Sequence, residues 1–306
     1  MRNMKSFFQI EPLNPLKDWF EGLASHIQTA DNIRILVPAT LEGLLSTVSL
    51  EAAFLDTKKS FSRRFVHSKV HQPRDEQRIT VPEFMGLSIV LDVESEHVRV
   101  EHIEFDNKVV YLQPVELELE FKNSQKNRTS SLDIVFVTSL LASLLAPNGK
   151  KTRAVRPFCG LGLWSRAVMD NTIDGMYTLV RNHLQEEGSI RVVPLPEVQN
   201  PVIDMLPELS PRMLKRLSER WSEMNYEQRC ESLSEFALLG IGNEHVSTAR
   251  FEELIWHRVL IGENEIDTAS SIFRIKRGWP SDQNSAKLLA SKYADEVLTH
   301  AKLPNP

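Results

Sequence analysis

Residues 33–46 read Ile33-Arg34-Ile35-Leu36-Val37-Pro38-Ala39-Thr40-Leu41-Glu42-Gly43-Leu44-Leu45-Ser46 and decide the fold. The first five form a short, β-branched-rich apolar run, the pattern of a buried strand. Pro38 to Gly43 interrupts it as a loop, and Leu44 to Leu55 is apolar enough for a buried helix. Upstream, Leu16, Trp19, Phe20, Leu23, Ala24 and Ile27 recur at helical spacing. Helix, strand, short loop, helix opens an α/β unit. The expected fold class is α/β, with a doubly wound, mostly parallel sheet whose sites form at strand carboxyl ends.

The reading extends outward from that unit. Ser62 to Val66 and Leu87 to Leu91 are further strands, and Asp92 stands just past the second. Val98 to Ile103 and Val109 to Leu112 flank Asp106-Asn107, which predicts a hairpin. Val115 to Phe121 alternates apolar and acidic residues, which predicts a strand with one acidic face. Ser130 or Ser131 is the expected cap of a helix running to Leu145, with Asp133 in its first turn. Val155 to Met169 reads as one buried helix, Tyr177 to Gln185 as another, and Ile190 to Val193 as extended. A proline-rich stretch from Pro194 to Pro211 reads as a linker. Helical patterns alone follow: Met213 to Trp221, Tyr226 to Leu239, Ala249 to Ile261 and Ser285 to His300. The division expected is an α/β part over residues 1–195 and an all-helical region over 196–306.

Composition narrows the function. Of 306 residues 42% are hydrophobic and 25% charged, so the chain is neither disordered nor fibrous. Only 12 are glycine, which argues against glycine-rich phosphate loops. The net charge of −5 gives no global attraction to nucleic acid or anionic membrane. No apolar run is long enough to span a bilayer, and the amino terminus makes a poor signal peptide. Cys159 and Cys230 lie far apart in sequence, so no disulfide framework is expected. His67 and His71 lack a third ligand and read as surface residues; His97 and His102 are expected on opposite faces of a strand. Lys58 to Arg78 is basic, and Arg63, Arg64 and Lys69 are its candidates for contacting phosphates, against a plainer reading as solvated surface. Asp92 to Glu120 is acidic; Glu116, Glu118 and Glu120 are candidates for docking a basic protein surface, against a plain acidic edge.

Ile35 to Ser46, after its amphipathic helix, resembles the first motif of the DHH phosphoesterase superfamily. There a strand ends in H-x-D-x-D-G, with Ser and a helix following. Gly43 and Ser46 match; the metal-binding His and first Asp correspond to Pro38 and Thr40, and the second Asp to Glu42. Asp92 resembles the second-motif aspartate, Leu112-Gln113-Pro114 stands where D-H-H would be, and Ser165 lies near a further expected aspartate. Ser130 to Pro147, Phe158 to Ala167 and Tyr226 to Ile261 are similar to helices of RecJ-type members. The resemblance implies a RecJ-like fold whose two-metal site has lost its ligands, leaving Glu42 and Asp92 as remnant carboxylates, with no cofactor. It further implies the inactive, archaeal replisome class: a non-catalytic, nucleoid-associated cytoplasmic scaffold that binds GINS and helps activate the MCM helicase, with single-stranded DNA as a further contact. Two alternatives stay open, a residual metal-dependent phosphoesterase using Glu42 and Asp92, and an unrelated two-part protein.

Overall fold

The computed structural model describes residues 4–71, 78–103, 105–119, 128–170, 174–206, 208–238, 240 and 246–304. Short 3-10 turns lead into α1 (Lys17–Thr29), β1 (Asn32–Pro38), α2 (Leu41–Thr57), β2 (Ser60–Val66), β3 (Leu87–Leu91) and β4 (Val109–Leu112). The antiparallel pair β5 (Val115–Leu119) and β6 (Arg128–Leu132) precedes α3 (Ile134–Leu145), α4 (Lys150–Val155), α5 (Leu161–Ser165), α6 (Gly175–Glu187) and β7 (Ile190–Val193). The remainder is α7 (Pro211–Trp221), α8 (Tyr226–Leu238), α9 (Thr248–Trp256), β8 (Arg258–Ile261), β9 (Ile266–Asp267), α10 (Thr268–Arg277) and α11 (Gln283–His300).

The main sheet has the order β2-β1-β3-β4, and every pairing in it is parallel. The α/β expectation therefore holds. Ile33, Ile35, Val37, Ile89 and Val110 share a core with α1, α2 and α3. The alternate residues Leu36, Val90 and Tyr111 face the other way and pack with Ile79 and Val81 of the β2–β3 connection. Connections thus run over both faces. Burial of nearly every residue of α2 follows from its position between the sheet, α3 and α11.

Several local expectations need correction. Among the described residues no strand forms just before the Asp106 turn: Val100–His102 is a 3-10 turn, and Phe105 makes an isolated bridge to Val110. Asp106 nonetheless makes the turn, accepting from the N–H groups of Lys108 and Val109. Having no strand between them, His97 and His102 do not alternate across one. Ser130 and Ser131 lie in β6, and Asp133 caps α3, accepting from Phe136 N at 2.8 Å. The helix expected over Val155 to Met169 breaks into 3-10 turns around α5, since Pro157 can neither donate nor sit inside a helix. The one expected over Ala249 to Ile261 stops at Trp256; β8 follows and joins β7 and β9 in an antiparallel sheet. The proline-rich stretch is packed, with Leu195, Leu206 and Leu209 buried in a second core beneath α7, α8 and α9. The strand predicted over Val115 to Phe121 is seen over Val115–Leu119; Glu120, Phe121 and most of the loop after them lie outside the described residues.

Candidate functional site

The sheet order places a topological switch point between β1 and β3. Their carboxyl ends, Pro38 and Asp92, flank the crevice where open α/β sheets bind ligands. Local chemistry fixes the first side. Thr40 is extended and caps α2, its hydroxyl accepting from Gly43 N at 3.0 Å. Gly43 lies so close to β1 that a Cβ there would overlap the Pro38 carbonyl oxygen. The glycine is thus explained by packing alone.

Each remnant carboxylate has a partner from this chain. Glu42, in the first turn of α2, receives Lys276 Nζ at 3.0 Å from the last turn of α10. Asp92 is fully buried and accepts from the Tyr111 hydroxyl at 2.7 Å, while that hydroxyl accepts from Ile79 N at 2.9 Å. The segment after α10 closes over the same edge. Trp279 Nε1 donates to Ala39 O at 3.1 Å, and His71 Nε2 donates to Pro280 O at 2.9 Å.

A second group of residues gathers around Asp133. Its Oδ2 is buried without a hydrogen-bond partner and faces Gly162, where a Cβ would collide with the carboxylate. Burial pushes this carboxyl up to about 7, against the pull of Arg166; Glu42 pushes it further the same way. Arg166 donates to the carbonyl oxygen of Ser131 at 2.8 Å and pairs with Asp174. Ser165 ends α5 directly before this arginine, so the charged group at that place is a cation. His97 is held below its usual range by burial first and by Arg166 second.

The two metals that the resemblance to DHH phosphoesterases implies do not fit these residues. Proline supplies no ligand atom, the Thr40 hydroxyl holds the helix cap, and the carboxylates of Glu42 and Asp92 take an ammonium and a phenol. Among the described residues no three of His, Cys, Asp and Glu are grouped to hold an ion. A two-metal clamp needs several such ligands on one rim.

The basic candidates do not form one stripe. Arg63 points into the helical layer, paired with buried Glu51 at 2.6 Å and with Asp295. Burial pushes Glu51 up to about 7, with Arg63 opposing. Lys69 Nζ donates to Glu94 O at 2.9 Å. Arg64 is exposed on the opposite side of β2; Arg34 and Lys287 are held below their usual ranges by burial first and by the Arg64 charge second. Glu116 and Glu118 share the outward side of β5, with Val115 and Leu117 buried on the other; Glu120 lies outside the described residues. Both cysteines are free thiols, and burial pushes Cys159 far up.

No family model and no curated protein matches this chain. Among solved structures the chain is similar to CDC45 from Entamoeba histolytica. The TM-score is 0.46 and the identity 12%, over 94% of this chain and 68% of that one. Among the described residues no helix is long and apolar enough to cross a membrane.

Proposed function

We propose that the chain is a non-catalytic, RecJ-like scaffold of an archaeal replisome, which binds GINS and helps activate the MCM helicase. In this reading residues 1–195 are a degenerate DHH-like part and residues 196–306 a connector, mainly helical but carrying β8 and β9 as well. The chain works at the nucleoid in the cytoplasm, without cofactor. The observation that carries the reading is the occupation of the switch point by the chain itself. Lys276 neutralises Glu42, and Trp279 is bonded to Ala39 at the place where a phosphodiester and its metals would sit. An ammonium beside a carboxylate competes with a divalent cation for the same oxygens. What remains useful is surface. Glu116 and Glu118, with Glu120 following in sequence, are the docking candidates; of the basic candidates Arg63 is ion-paired, Lys69 donates to a carbonyl oxygen, and Arg64 makes neither side-chain contact among the described residues.

The test is capture of partners on the purified, immobilised full chain at moderate salt. GINS and MCM from the same organism are expected to be retained. Retention of neither overturns the reading. The competing residual hydrolase makes an opposite prediction, namely manganese-dependent cleavage of single-stranded nucleic acid that disappears in the double variant Glu42→Ala, Asp92→Ala. We expect no cleavage by either protein.

A further inference from the structure

A cavity of about 730 Å³ opens between α4, the α6–β7 turn, the β8–β9 turn and the tail after α11. Its volume is in the range that encloses a small molecule. Phe158, Ile261 and Leu303 give it an apolar lining, while Arg153 and Lys302 bring positive charge to its wall. Arg153 is the informative residue. It is half-buried, its Nε is shut away from water, and its side chain makes no hydrogen bond or ion pair among the described residues. Burying one guanidinium N–H without an acceptor is costly, and an anion in the cavity would relieve that cost.

The acids nearby do not supply that anion. Glu187 is spent on Arg156 at 2.6 Å, on the Ser189 hydroxyl and on Lys5 N at 2.9 Å. Glu263 stands exposed on the β8–β9 turn. Nor are the cations needed to close the end of α11, because Lys151 Nζ takes Leu298 O and Ala301 N takes Val297 O.

We infer that this cavity binds a small organic carboxylate with an apolar body, its head on Arg153 and its tail against Phe158, Ile261 and Leu303. The planar fork of arginine matches a carboxylate. The inference does not depend on the replisome reading.

Decanoate and the neutral decanol are the probes, titrated calorimetrically into the full chain at neutral pH. Decanoate is expected to saturate a single site and decanol to bind about tenfold or more weaker. Arg153→Gln should weaken decanoate by about tenfold. Ala154→Trp, which fills the cavity mouth from an exposed helix position, should abolish saturation. Circular-dichroism melts of both variants should match the parent. Absence of decanoate binding at millimolar concentration, or equal affinity in the parent and both folded variants, overturns the proposal. If one variant fails to fold, the decanoate-to-decanol ratio and the other variant decide it.

Discussion

Gly43 and Asp133 show how much single residues settle here. At Gly43 the added methyl of alanine meets backbone of β1, which cannot swing aside as a side chain could. Gly43→Ala should therefore cost about 1–3 kcal/mol, the range for overpacking, read as a lower urea midpoint at unchanged slope. An unchanged midpoint would refute the close packing. Asp133 carries a pH signature. Its folded pKa of about 7 lies above the ordinary 3.8, so the folded state binds the proton more tightly. The stability this contributes is complete below pH 4 and is lost as pH rises through about 7. The melting temperature of the parent should thus fall relative to Asp133→Asn between pH 4 and 7.5. A constant gap would contradict the burial of that carboxyl. Asp133 was legible as an acid at the amino end of an apolar helix, but the expected first-turn place with Ser130 or Ser131 as cap was wrong: Asp133 is itself the cap. Its orphan oxygen was not legible, because Gly162 and Arg166 reach it only through the tertiary fold.

Strand and helix identity followed pattern where pattern was unambiguous. β1, β2, β3 and β4 carry short apolar or alternating runs, and each formed where those runs lie. Failures came where two structures share one pattern. The apolar spacing of Ala249 to Ile261 continues across the junction of α9 and β8, and a four-residue run such as Arg258–Ile261 does not declare its type. Tertiary contact made it a strand. Arg258, 1% exposed, pairs with Asp267 at 3.0 Å and donates to Leu254 O and Val202 O, tying α9, the end of β9 and the segment before α7 together. Arg258→Ala leaves a buried aspartate unpaired and should cost about 3–5 kcal/mol in denaturant unfolding. A loss below about 1 kcal/mol would show that water already reaches the pair.

Across the molecule, the change of composition at residue 195 and the sharing of the core do not run in parallel. Ala286, Ala290, Ala294 and Val297 of α11 lie in the same core as α2 and the parallel sheet, and Arg63 joins β2 to α11. Nothing local in the sequence brings Lys276 to Glu42 or Trp279 to Ala39, since more than two hundred residues separate each pair. That is why the strand–loop–helix segment over residues 33–46 was legible but its closure by Lys276 and Trp279 was not. A chain ending at residue 281 should lose the cooperative melt of the parent, as removal of α11 uncovers α2; a two-state melt within a few degrees of the parent would contradict the shared core. The central claim is that this molecule acts by binding and not by hydrolysis. Its most direct test is the equilibrium affinity of the full chain for purified GINS, measured for the parent and for Glu116→Lys with Glu118→Lys. We predict saturable binding with Kd at or below about 1 μM, weakened about tenfold by the charge reversal. No saturable binding of GINS at concentrations of about 50 μM would contradict the account.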